Sequence, residues 1–133
     1  MKELTESNLS DLTGRYLFSD GLIRFVRVAY LPGSAIGEVE VSAREEGAGA
    51  WVNVQFRIER LESFTLTQGL RTTSQVLFDG VSVRWFNGLC YLDFSHDCDD
   101  RSSLADYEQA DFLLIGKRCF WSLTPYSEGL AGI

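Results

Sequence analysis

The clearest alternation of apolar and polar side chains runs through residues 52–59. There Val52, Val54, Phe56 and Ile58 interleave with Asn53, Gln55, Arg57 and Glu59. A period of two belongs to a strand with one buried and one wet face. Residues 36–44 repeat the pattern, with Val39, Val41 and Ala43 on one side and Glu38, Glu40 and Ser42 on the other. Two consecutive strands of this kind, joined by the loop 45–49, predict an antiparallel sheet covering a core on one side. Upstream, residues 22–31 read as a strand ended by Pro32-Gly33, although Arg24 and Arg27 fall on opposite faces and leave its buried side open. Phe64 and Leu66 mark a further short strand.

Turn chemistry supplies the next segment. Asp79-Gly80 and Asn87-Gly88 are both preferred in two-residue hairpin turns, which need positive φ at the central residues. Turns at both places predict a meander that pairs Val76 with Val83, Phe78 with Val81, Val83 with Leu92, and Trp85 with Cys90. One face then reads Val76, Phe78, Val81, Val83, Trp85, Cys90, Leu92 and Phe94, all apolar. The other reads Leu77, Ser82, Arg84, Phe86, Leu89, Tyr91 and Asp93, and is mixed. A slip of one residue would scramble both faces. A last hairpin is predicted around Gly116-Lys117, setting Leu114 opposite Cys119 and Phe112 opposite Trp121. Residues 1–15, with Leu4, Leu9 and Leu12, read as an arm or one short helix, 103–109 as a helical turn, and 125–133 as a loose tail. The sum is a single all-β domain over 1–133, an antiparallel β-sandwich or flattened barrel of about eight or nine strands with little helix.

Composition changes that picture only in places. A chain of 133 residues, 45% of them hydrophobic, can bury a core without disulfide or metal staples. Three cysteines at irregular spacing fit a reducing compartment better than a disulfide framework, and Cys90 and Cys119 fall on predicted core faces as free thiols. The formal net charge of −7 disfavours nucleic-acid backbones and anionic lipid surfaces. No apolar run reaches spanning length and the first residues lack a signal-peptide core, so a cytoplasmic protein is expected.

Candidate chemistry is sparse. The sequence has no nucleophile elbow, phosphate-cradling glycine loop, dinucleotide fingerprint or zinc-protease signature, and neither a cofactor nor an enzymatic activity is expected. The loop His96, Asp97, Cys98, Asp99 and Asp100 offers metal-ligating atoms, yet it lacks the glycine and terminal Glu of a calcium-binding EF-hand loop and a second Cys or His pair for zinc. A His96–Cys98 nucleophile is disfavoured as well, because the adjacent aspartates oppose a thiolate. Against the metal reading stands the ordinary one, a solvated acidic loop.

The second faces of the predicted hairpins carry surplus apolar residues: Phe86, Leu89 and Tyr91 in one, Leu113, Ile115 and Phe120 in the other. Either a neighbouring segment covers them or they form a contact surface. In the second case the contact set is Arg84, Phe86, Leu89, Tyr91, Asp93 and Phe120. In size, acidity and want of a catalytic constellation the chain resembles small acidic proteins that bind and block another protein, such as bacterial immunity proteins; no motif carries that resemblance. The expected function is a non-enzymatic protein-binding module, inhibitor-like or immunity-like, engaging a basic or amphipathic protein surface. The alternatives are a small-molecule-binding β-barrel with an aromatic-lined pocket and a homo-oligomer joined through sheet edges.

Overall fold

The computed structural model describes residues 1–47, 49–67, 76–77, 80–95 and 102–126. They form β1 (Lys2–Leu4), α1 (Leu9–Thr13), β2 (Tyr16–Leu17), β3 (Ile23–Leu31), β4 (Ser34–Glu45), β5 (Trp51–Leu66), β6 (Ser82–Phe86), β7 (Leu89–Asp93), α2 (Leu104–Glu108) and β8 (Phe112–Thr124). All eight strands lie in one antiparallel sheet that does not close on itself, so the all-β class holds. The sheet runs in the order β2-β4-β5-β8-β7-β6. β3 shares with β2 the outer edge of β4, and β1 shares with β7 the far edge of β8.

The alternation read from residues 36–44 and 52–59 produces two long, fully registered strands, with Val39 opposite Phe56 and Val41 opposite Val54. β5 does not stop where the alternation fades. Arg60 adopts φ 52° and the register with β8 shifts between Leu61 and Ser63, so Phe64 and Leu66 continue the same strand past a bulge.

That bulge overturns the hairpin expected at Gly116-Lys117. β8 is continuous and pairs with β5 from Asn53↔Thr124 to Leu66↔Phe112. Gly116 sits opposite Leu61, where a Cβ would lie 2.2 Å from Ile58 Cγ2 and about as close as 3.0 and 3.1 Å to the carbonyl oxygens of Glu59 and Arg60. Glycine is required there by close approach rather than by a turn. The buried positions switch from Phe112 and Leu114 to Cys119 and Trp121 across it, which is why the two halves looked like opposed strands in the sequence.

The hairpin at Asn87-Gly88 forms as expected. The two residues take φ 54° and 79°, and Val83↔Leu92, Trp85↔Cys90 and Phe86↔Leu89 are in register. The hairpin predicted at Asp79-Gly80 falls partly outside the described residues, and Val76, expected opposite Val83, is placed elsewhere. Val76 instead bridges Leu22, and Leu77 is fully buried with its N–H donating to Gly21 O at 2.8 Å. Phe78 and Asp79 lie outside the described residues. Among the described residues this bridge draws the lead-in of β6 toward that of β3.

The main core fills the inner face of the curled sheet. Phe18, Phe56, Phe94 and Phe112 pack in sequence, with ring centroids 5.8, 5.7 and 5.2 Å apart. Leu12 of α1 and Leu4 of β1 are buried against it, so the N-terminal segment expected as an arm or helix supplies both a strand and a helix. A smaller cluster lies on the opposite face of the β6–β7–β8 region, where Tyr107 and Ala110 meet Tyr91 and Leu113. α2, the expected helical turn, begins with a reciprocal cap. Ser103 N donates to Asp106 Oδ2 at 3.0 Å, and Asp106 N donates to Ser103 Oγ at 3.3 Å.

Candidate functional site

The contact set expected on the β6–β7 hairpin is covered by the chain's own helix. Phe86, Tyr91 and Tyr107 form an edge-to-face triad with centroids 5.2, 5.6 and 6.0 Å apart. The Tyr107 hydroxyl shares a hydrogen bond with Ser82 Oγ, and burial pushes its pKa above the usual phenol range while that bond and Arg84 pull it down. Tyr91 and Asp93 are buried, and Asp93 Oδ1 accepts from Ser95 N at 2.8 Å. Neither belongs to an accessible surface. Phe86 and Leu89 are half-buried against the same cluster, and Arg84 alone remains exposed. Phe120 is elsewhere, between Arg57 of β5 and Glu3 of β1, so the six residues do not converge. His96, Asp97, Cys98, Asp99 and Asp100 lie outside the described residues.

The outer face of β4, β5 and the second half of β8 is built differently. The polar half of each alternating strand meets its neighbour here: Glu38 opposite Arg57, Glu40 opposite Gln55, Ser42 opposite Asn53. Glu38 is buried and accepts from Arg27 Nε at 3.2 Å, from Arg27 Nη2, and from Gln55 Nε2. Glu40 is buried too and accepts from Thr124 Oγ1 at 2.9 Å. Further along, Arg118 donates through Nε and Nη2 to the two oxygens of Glu3, both at 3.0 Å. That fork holds the Glu3 carboxyl below its usual range and raises the Arg118 guanidinium.

Aromatic rings frame these polar rungs. The Arg118 guanidinium lies 5.0 Å from the Phe120 centroid, and that of Arg44 5.5 Å from Trp51. Trp51 and Tyr126, both exposed, stack at 6.5 Å. Among the described residues no further strand or helix packs on this face.

Several buried polar atoms on it have no hydrogen-bond partner: Asn53 Oδ1, Arg44 Nε and Arg57 Nε. Arg57 Nε stands 3.7 Å from Glu59 Oε2, an ion pair too long for a hydrogen bond. The sequence marked these positions as wet; nothing in it signalled that cross-strand neighbours would desolvate them.

Set against known proteins, the chain matches no family model, no curated protein and no solved structure. Cys90 and Cys119 are buried free thiols, and the Cys90 thiol together with burial raises Cys119 well above its usual range, away from thiolate chemistry. Among the described residues no cluster of His, Cys, Asp and Glu is placed to hold a metal, and no helix is long and apolar enough to cross a membrane. The outer face offers recognition: Arg and aromatic side chains, fixed carboxylates, and unsatisfied donors and acceptors.

Proposed function

We propose that the protein is a non-enzymatic binding module that presents the outer face of β4, β5 and β8 to an amphipathic protein surface. The observation that carries this reading is the set of desolvated, unbonded atoms on that face: Asn53 Oδ1, Arg44 Nε and Arg57 Nε. A buried polar group without a partner costs roughly 1–3 kcal/mol, and a partner that draws these side chains into new rotamers, where they meet matching donors and acceptors, relieves that cost. The composition agrees, since Arg and aromatic residues are the side chains that dominate binding energy at interfaces. Carboxylates and guanidinium groups alternate across the face, so the partner it fits is mixed in charge rather than uniformly basic. The net charge of −7 acts at longer range, favouring encounter with a basic partner. An inhibitory role, in which the module occludes its partner's surface, suits a chain of this size.

A pull-down from cells that express the protein tests the reading with three baits: wild type, Trp51→Ala/Arg57→Ala, and Arg84→Ala. Wild type and Arg84→Ala are expected to recover the same partner, and the double variant to lose it. Equal recovery by all three baits, or no partner with any, overturns the proposal.

A further inference from the structure

The open end of the sheet, on the inner face and away from the surface just described, holds a cleft of about 380 Å³. Tyr16 and Trp121 line it and meet edge to face, with centroids 6.0 Å apart at 66°. The two rings come from strands that do not pair, β2 and β8, so their contact spans the interior and makes a rigid aromatic wall. Two cations flank the wall. Lys2, cross-strand neighbour of Trp121, places Nζ 5.8 Å from the indole centroid. Arg15 lines the cleft just before β2, where its carbonyl accepts from Glu46 N at 2.8 Å and fixes its backbone.

Arg27, Arg57 and Arg118 are each paired with a glutamate. Among the described residues, neither Lys2 nor Arg15 has a carboxylate partner. Glu45 lies opposite Tyr16 in the β2–β4 register but does not line the cleft. In a protein of net charge −7, two cations without acids beside two rings make a local site for a negative charge.

We infer that this cleft binds a small aryl carboxylate. The ring of such a ligand packs against Trp121 and Tyr16, and the carboxylate accepts from the Arg15 fork and from Lys2. The volume lies near the lower end of the range of small-molecule sites, which suits one ring and a short acidic arm. A polyphosphate carries more charge than two cations balance and meets the repulsion of an acidic molecule. The inference is independent of the protein-binding reading, since the two use opposite faces of the sheet.

The test is a titration of the full chain with benzoate, followed through the Trp121 indole N–H resonance and by calorimetry. Benzamide serves as the uncharged isostere and acetate as the anion without a ring. Benzoate is expected to shift the Trp121 signal and to bind at least about tenfold more tightly than benzamide or acetate. Lys2→Gln/Arg15→Gln should weaken benzoate by about tenfold or more with unchanged thermal unfolding, while Arg84→Gln leaves it unaltered. Equal binding of benzoate and benzamide, no Trp121 shift at saturating benzoate, or equal losses in the Arg84 and the Lys2/Arg15 variants overturns the assignment.

Discussion

A glycine whose meaning lies in a distant strand illustrates how far single residues can be read. Gly116 carries the signature of a hairpin turn, yet it is a strand residue pressed against the Arg60 bulge of β5. Gly116→Ala should destabilise the fold by about 1–3 kcal/mol, the range of overpacking in a tight interior. Truncating Ile58 should not restore it, because the carbonyl oxygens of Glu59 and Arg60 also stand in the way of the new methyl group. Urea denaturation of the single and double variants measures both effects. The cysteines were legible for a simpler reason: Cys90 and Cys119 sit at apolar positions of alternating strands, and both are buried. In a Cys98→Ser background, iodoacetamide at neutral pH should leave them unmodified until the chain is unfolded, as peptide mapping would report. Modification of either thiol in the folded protein would contradict their burial and the raised pKa of Cys119.

Elements were legible where their cause is local. Asn87-Gly88 makes its turn because two adjacent residues accept positive φ whatever surrounds them. Asp79-Gly80 carries the same local chemistry, with Asp79 outside the described residues, but the pairing of the residues before it is set from afar, since Leu77 hydrogen-bonds across the molecule to Gly21. α2 shows both influences. Its cap is local: the backbone N–H groups of Ser102 and Ser103, with their hydroxyls, lower the Asp106 pKa to about 2. Its position is not local, being set by Tyr107 against Phe86 and Tyr91. A carboxyl depressed in the folded state contributes stability that is complete above its unfolded value near 3.8 and is lost as pH falls toward 2. Hydrogen exchange at the Tyr107 amide should therefore accelerate between pH 4 and pH 2 beyond the intrinsic rate. In Asp106→Asn that acid-dependent acceleration should be absent. Ser103→Ala, which removes the other half of the cap, should cost about 1 kcal/mol at neutral pH.

At the scale of the molecule, the strand pattern separated a core face from a polar one, but the surface proposed for binding was not visible in it. Alternation identifies Glu38, Gln55 and Arg57 as outward-facing without saying that they desolvate one another across the β4–β5 pair. Net charge misleads in a similar way: Asp11, Glu46, Glu62, Glu108 and Asp111 are exposed elsewhere, whereas the outer face itself is close to balanced. The face therefore divides into two kinds of residue. Glu38 has its hydrogen bonds satisfied within the chain, so Glu38→Ala removes charge-assisted hydrogen bonds to Gln55 and to the exposed Arg27 and should cost folded stability on the order of 1–3 kcal/mol. Arg57 is about one-third exposed and its Nε, in a long ion pair with Glu59, has no hydrogen-bond partner, so Arg57→Ala removes little that holds the sheet together. Its expected loss of stability is under about 1 kcal/mol. At an interface the same truncation should weaken partner binding by more than about tenfold, as desolvated arginines do at binding hot spots. Thermal unfolding and partner affinity of the two variants, measured side by side, separate these roles. If both substitutions lower stability and affinity in parallel, Arg57 is a scaffold residue like Glu38, and the unbonded atoms of the outer face do not mark a docking surface.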